Sequence, residues 1–299
     1  MHPPVRLVAI DVDGTLLPSP SSAQQMSGRT ARALRAAQKA GITVAIATGR
    51  RQAFVAPLLE YLNLRADMPL ITSNGAVTRT LAGDLMDRCH LDAAVARELC
   101  GLLRPFGAVV FTFDKNVSGE LVLENLQQAH DHIALWVDAN RASIREVLPL
   151  EDAFGDGENP IQGMVCGTVD AMKRAEAALR QSPLFANCEC ARTEYPARNL
   201  SIFDLLPVGV SKGWALEQLA ARLGVGRLET MAIGDNWNDV EMLEWAGQGV
   251  LMGNASAELR TMAKLRGWKQ APPNDEDGVA VILERELERQ ATQQMQEAG

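Results

Sequence analysis

The apolar run Val5–Ile10 stops at Asp11-Val12-Asp13-Gly14-Thr15, which places two carboxylates two residues apart where a buried strand would end. Charge at such a position is expensive unless something binds it, most simply a metal ion with hard oxygen ligands. The plain rival is a strand end closed by a polar turn. The rest of the chain has to be read against both.

Strand and helix patterns alternate on either side of a different middle. Ser27 opens a helix with Leu34, Ala37 and Ala40 on one face, and Gly41 ends it. Ile42–Ala47 reads as a second buried strand closing on Thr48-Gly49-Arg50, and a helix follows from Gln52, disturbed by Pro57. Leu70–Thr72 is a short third strand before Ser73-Asn74-Gly75. The same grammar returns late in the chain. Helices are expected over Ser211–Leu223, Trp237–Ala246, Ser256–Lys264 and 275–299, the last turning polar over Gln290–Gln296. Strands are expected over Leu228–Ile233, before Gly234-Asp235-Asn236, and over Gly249–Met252. Such alternation implies an α/β fold with a parallel sheet covered on both faces. Between about Ala82 and Leu200, helix patterns over Asp92–Arg104, Gln127–Ala139 and Val169–Gln181 interleave with the runs Ala108–Phe113, Glu120–Glu124 and Gln162–Cys166, none ending in acids. This middle reads as an inserted α+β domain, residues 82–200, within a discontinuous core of residues 1–81 and 201–299.

Composition narrows the function classes. A formal net charge of −8 with no basic tract argues against a nucleic-acid surface. No apolar run approaches the roughly 20 residues of a membrane span, and the start of the chain has no signal-peptide pattern. The five cysteines are scattered, and Cys188 and Cys190 lack a second pair to complete a zinc site. They read as free thiols of a cytoplasmic protein. A phosphorylated small molecule stays open as a partner, because it needs only a local positive site. Oligomeric state is not readable.

Ligands of an open parallel sheet bind beyond the carboxyl ends of its strands. Asp11 and Asp13 follow the first strand, Thr48 the second, Asn74 the third, and Asp235, Asn238 and Asp239 a later one. Asp11, Asp13 and Asp235 suit one Mg²⁺, and without a cation such carboxylates repel one another. Lys212 offers a fixed positive charge, and the Thr48 hydroxyl with N–H groups near Gly14 and Gly49 offers phosphate donors. Each piece alone has a simpler reading. Thr48-Gly49-Arg50 is a strand-to-helix turn, Lys212 a solvated lysine, Gly234-Asp235-Asn236 and Asn74-Gly75 tight turns. Arg50 and Arg51 read as solvated or paired, Trp136 and Trp214 as packing residues.

The order Asp-x-Asp-Gly-Thr, Thr-Gly-Arg, Lys, Gly-Asp-x-x-Asn-Asp resembles the haloacid dehalogenase (HAD) superfamily of phosphatases. Ser73-Asn74-Gly75-Ala76, Gly209-Val210-Ser211-Lys212-Gly213, Met252-Gly253-Asn254-Ala255 and Asp277-Gly278-Val279 narrow the likeness to its Cof-type branch with a type IIB cap. It spans roughly residues 5–81 and 201–284. The resemblance implies a Rossmann-like parallel-sheet core with an inserted α+β cap. It also implies magnesium-dependent hydrolysis of small phosphate monoesters, of the sugar phosphate, pyridoxal phosphate, flavin mononucleotide or nucleotide class, through an aspartyl-phosphate. By the same resemblance Asp11 is the nucleophile and Asp13 the general acid and base. Asp11, the Asp13 carbonyl and Asp235 would hold Mg²⁺, with Asp239 supporting them, and Thr48, Gly49, Lys212 and Asn238 would hold the phosphoryl group. A phosphosugar mutase and a non-catalytic binding protein of the same fold are the alternatives. Substrate choice is expected in residues 82–200, with hinges near Arg79–Gly83 and Arg198–Ser201, and with Arg192 and Arg198 as candidates to meet an anionic substrate.

Overall fold

A computed structural model describes residues 3–17, 26–115, 119–155 and 158–297. They form two compact units, one made of the chain up to Asp87 together with the chain from Lys212, the other of Arg88–Ser211. The last two residues of the expected C-terminal helix, 298–299, lie outside the described residues.

The first unit opens with β1 (Leu7–Ile10), α1 (Gly28–Lys39), β2 (Thr43–Ala47), α2 (Gln52–Leu59), β3 (Pro69–Thr72), β4 (Val77–Thr80) and β5 (Leu85–Arg88). All four β1 residues are buried, as a strand covered on both faces requires. Ser27 caps α1 by accepting the Thr30 N–H at 3.0 Å. Pro57 lies inside α2, which passes into a short 3₁₀ turn at Glu60–Leu62.

The second unit comprises α3 (Ala93–Leu103), β6 (Ala108–Thr112), β7 (Leu121–Leu123), α4 (Leu126–Asn140), β8 (Ile144–Glu146), β9 (Gln162–Gly167), α5 (Val169–Gln181), β10 (Glu189–Tyr195) and β11 (Leu200–Leu206). Among the described residues its strands form a six-stranded sheet in the order β10-β11-β9-β6-β7-β8. The pairs are antiparallel except β7 with β8. Period-two alternation sends Val109, Phe111, Val165 and Phe203 into one apolar cluster with α3 and α5. Val110, Leu121 and Cys166 go into another with α4, against which Trp136 packs.

The first unit resumes with α6 (Lys212–Leu223), β12 (Thr230–Gly234), α7 (Val240–Trp245), β13 (Gln248–Leu251), α8 (Ala257–Arg266), β14 (Lys269–Gln270) and α9 (Gly278–Glu297). Among the described residues its sheet has eight strands, in the order β14-β13-β12-β1-β2-β3-β4-β5. Pairing is parallel from β14 to β3 and antiparallel between β3 and β4. Val8 and Ile10 pack with residues of α1 and α9, whereas Leu7 and Ala9 pack with residues of α6, α7 and α8, where Trp214 also sits. No helix among the described residues is long and apolar enough to cross a membrane.

Two expectations change. The boundary set at residue 200 falls at the head of β11, which pairs along its length with β10 and β9. Its apolar run resembles a core strand in composition, and only its antiparallel partners place it in the second unit. The turn at 198–201 is therefore the β10–β11 hairpin connection, and the segment 79–83 joins β4 to β5 inside the first unit. The helix expected from Trp237 begins instead as a 3₁₀ turn over Trp237–Asp239. The Asp239 carboxylate accepts the Asp235 and Asn236 N–H groups at 2.9 and 3.0 Å, which holds that first turn tight.

Candidate active site

Parallel pairing in register sets Ile10 beside both Ile233 and Ile46, so three neighbouring strands end together. Asp11 continues the ladder by one bond, its N–H donating to the Ile233 carbonyl at 3.0 Å. The chain then turns at Gly14, whose φ of +86° suits glycine, and a Cβ there would lie 2.2 Å from Asp235 Oδ2. That contact lays the Gly14 backbone against the Asp235 carboxylate. The Thr15 hydroxyl completes it by donating to Asp235 Oδ1 at 3.1 Å.

Lys212, the first residue of α6, is 1% exposed. Its Nζ lies 2.6 Å from Asp11 Oδ1 and 2.6 Å from Asp239 Oδ1. The other Asp239 oxygen is the one taken by the two backbone N–H groups, so that carboxylate is spent on holding the lysine and the turn. Burial, and then Asp239, push Asp11 up to about 7 against the pull of Lys212. Burial, Asp11 and Asp239 likewise raise Asp235 well above the ordinary carboxylate value. Burial alone would lower Lys212, but Asp11 and Asp239 outweigh it and hold the ammonium above its usual range.

Asp13 faces the end of β2. Arg50 donates to both of its oxygens, from Nε to Oδ2 at 2.6 Å and from Nη2 to Oδ1, a bidentate pair. Arg50 is thus paired, one of its two expected states. Thr48 is buried, and its hydroxyl accepts the Arg50 N–H at 3.1 Å. Asn74 follows β3 in the left-handed region (φ 51°), directly after Ser73 (φ 50°). Its N–H donates to the Thr48 carbonyl at 3.0 Å, and its Oδ1 accepts from Asn238 Nδ2 at 3.0 Å. A Cβ on Gly49 would meet the Asn74 amide at 3.1 Å, so the Gly49 backbone rests on that side chain. Asp11, Asp13, Thr48, Gly49, Lys212, Asp235, Asn238 and Asp239 all lie in the first unit and share one set of strand ends. Arg192, by contrast, is paired with Glu176 and Glu194 at 3.1 and 3.2 Å, and Arg198 lies in the exposed β10–β11 turn.

The donor set fits a divalent cation. Asp11, Asp235 and Asp239 each bring an oxygen within 4.8 Å of the others, all buried. One buried ammonium faces three carboxylates, which leaves two negative charges to neutralise. Asp239 already accepts three bonds, from the lysine and two backbone N–H groups, so Asp11 and Asp235, with fewer, are the carboxylates with more capacity for a hard cation.

Two side chains on Asp235 stand in the quoted motifs with no role assigned to them there: Thr15, and Asn254, which reaches the carboxylate from beyond β13. The signal that would have found Asn254 is the one that found Asp11, a polar residue just past the carboxyl end of a buried parallel strand.

A parallel sheet whose strand ends gather buried carboxylates around one buried lysine defines an α/β protein with a charged site at the carboxyl ends of its strands. Comparison with known proteins gives the class its name. A family model described as haloacid dehalogenase-like hydrolase matches residues 8–283. The chain is 29% identical over 304 residues to the 5-amino-6-(5-phospho-D-ribitylamino)uracil phosphatase YwtE of Bacillus subtilis (strain 168), covering 96% of this chain and 99% of that one. It is 31% identical over 259 residues to the HMP-PP phosphatase of Citrobacter koseri, covering 85% and 86% of the two chains. Among solved structures, a haloacid dehalogenase-like hydrolase from B. subtilis superposes with a TM-score of 0.77 at 26% identity, over 94% of this chain and 99% of that one. The chain belongs to the haloacid dehalogenase-like hydrolase family, in its Cof-type branch with a type IIB cap, and is a phosphoric monoester hydrolase.

Proposed function

We propose that this hydrolase is magnesium-dependent, acts on phosphate monoesters of small metabolites, and passes the phosphoryl group through Asp11. The observation that carries the reading is the buried Lys212 bridging Asp11 and Asp239 beside Asp235. Lys212 engages Asp11 Oδ1, which leaves the second oxygen to attack phosphorus. The P–O bond to the leaving group breaks as the aspartyl-phosphate forms, and Asp13 gives its proton to the departing oxygen. In the second half, Asp13 takes a proton from water, the water oxygen attacks phosphorus, and Asp11 is released with inorganic phosphate. Asp13 has to leave its bidentate pairing with Arg50 on at least one oxygen to do either. The Thr48 hydroxyl, the Gly49 N–H, Lys212 and the Asn238 amide are assigned to the phosphoryl oxygens, where fixed donors stabilise developing charge.

Asp11, the Asp13 carbonyl and Asp235 would hold Mg²⁺, with Asp239 supporting them. The cation, when bound, neutralises charge on the phosphoryl oxygens and on the carboxylates around it. Residues 88–211 contain none of these groups, and we assign selection of the leaving group to that unit. The relatives YwtE and the HMP-PP phosphatase are both named for phosphorylated small molecules, which supports that substrate class over a macromolecular one.

The test is a phosphate-release screen over sugar phosphates, pyridoxal phosphate, flavin mononucleotide and nucleotides, with Asp11→Asn and EDTA-treated protein as controls. Release abolished in both controls is expected. Undiminished release from Asp11→Asn overturns the role of Asp11, and full activity without divalent cation overturns the magnesium site.

A further inference from the structure

Asp235 sits in a frame of three pieces, and only two of them come from the loop after β1. The Gly14 backbone presses on the carboxylate, and the Thr15 hydroxyl binds Oδ1. The third piece is Asn254, three residues past the end of β13. Its Nδ2 donates to the Gly14 carbonyl at 2.8 Å and lies 3.5 Å from Asp235 Oδ2. One amide group thus ties the nucleophile's loop to the acid on the neighbouring strand.

The amide cannot be turned over. Asn254 Oδ1 accepts the Asn274 N–H at 3.0 Å, which fixes the oxygen on that side and the nitrogen on the other. Asn274 closes the circuit, its own Nδ2 donating to the Leu17 carbonyl at 3.2 Å. Four segments therefore meet on Asn254: the loop 11–17, the end of β12, the end of β13, and the stretch before α9. Asn254 is itself an exposed residue, so little apolar burial is lost on replacing it.

We infer that Asn254 is a positioning residue: by holding Gly14 and Asp235 in register, it sets the affinity of the site for its divalent cation. A carboxylate gripped on both oxygens from the protein side keeps its remaining lone pairs at a fixed angle, and losing a partner of this kind costs about ten- to a hundredfold in metal affinity. Replacing the amide frees the Gly14 carbonyl and one Asp235 oxygen together, which loosens both the loop that carries Asp11 and Asp13 and the Asp235 carboxylate. The inference rests on the proposed assignment of Asp11 and Asp235 to the cation.

The experiment is calorimetric titration of Mg²⁺ into the full-length, metal-free protein, with Mn²⁺ binding by electron paramagnetic resonance as a second probe, on wild type, Asn254→Ala, Asn254→Ser and Asp235→Asn. The expected result is cation binding weakened about tenfold or more in Asn254→Ala, with an unchanged circular dichroism spectrum and with turnover largely restored by excess Mg²⁺. Wild-type affinity in Asn254→Ala overturns the inference. If that variant does not fold, Asn254→Ser, whose hydroxyl is too short to span both partners, carries the same expectation and the same refutation. The two levels separate on Asp235→Asn. If it loses the cation while the Asn254 variants keep it, the positioning role alone fails. If it keeps wild-type affinity, or wild type binds no cation, the assignment of Asp11 and Asp235 fails as well.

Discussion

Lys212 Nζ lies 2.6 Å from Asp11 Oδ1, although the two residues are 201 positions apart in the chain. The same nitrogen holds Asp239, so one lysine organises an acid from β1 and an acid from the turn after β12. A surface ion pair of this kind would be worth little. Here the side chains are 0%, 6% and 0% exposed, and removing the charge leaves its partners stranded.

Lys212→Met keeps the length of the side chain and removes the ammonium. Breaking a buried pair in this way costs about 3 kcal/mol or more. The variant is expected to unfold at lower urea concentration at pH 8 and to show no turnover at any Mg²⁺ concentration. A urea midpoint equal to wild type would show that the carboxylates do not depend on the lysine.

Gly14→Ala tests the close approach of the loop to Asp235. The new methyl meets a carboxylate oxygen at 2.2 Å and also demands a positive φ, a backbone cost of about 1 kcal/mol or more before the clash is counted. Thermal melting is expected to fall and activity to be lost, because the methyl displaces Asp235 itself.

Arg50→Lys replaces a two-pronged donor with a point charge. Asp13 then loses its bidentate hold, and kcat is expected to fall about a hundredfold or less, as misplacement of a reacting group does. The Mg²⁺ concentration for half-maximal activity should stay unchanged, since what Arg50 holds is the Asp13 carboxylate and not its carbonyl. Steady-state kinetics at several Mg²⁺ concentrations separate the two effects.

Glu286 makes a pH prediction remote from the active site. Burial would raise its carboxyl, but Arg289, Gln290 and the Val5 N–H outweigh burial and hold it below the ordinary 4.5. A folded-state value below the unfolded one means the clamp stabilises above about pH 4.5 and is lost as pH falls through the folded value. Glu286→Gln should therefore cost about 2 kcal/mol near neutrality, with the gap to wild type closing in urea melts below pH 4.5. A gap independent of pH would argue against the charged clamp.

The strand ends were legible because the physics there is local. A buried apolar run followed at once by Asp, or by Thr-Gly, is anomalous enough to stand out in Val5–Asp13, Ile42–Gly49 and Leu228–Asp235. What failed to show was whatever depends on a distant partner. Leu200–Leu206 is apolar and reads like a core strand, and only its ladder to β10 and β9 reveals which sheet it joins. β10 is half-buried along its whole length, so Glu189–Tyr195 carries no alternation to read. The bidentate Arg50–Asp13 pair and the Asn254 bridge join residues from separate segments, whose spacing in sequence says nothing about their geometry.

The position of Lys212 at the very point where the chain re-enters the first unit has a biosynthetic consequence. As the protein leaves the ribosome, Asp11, Asp13 and Arg50 emerge first, so Asp13 meets its arginine early while Asp11 has neither its lysine nor a β12 to pair with β1. The entire second unit is made before the lysine and Asp235 appear. Closing so long a connection costs chain entropy, but that cost grows only by about 0.6 kcal/mol per doubling of length. An interrupted or prematurely released chain thus carries Asp11 without its counter-charge, and the charged site is completed all at once, with the final third of the polypeptide.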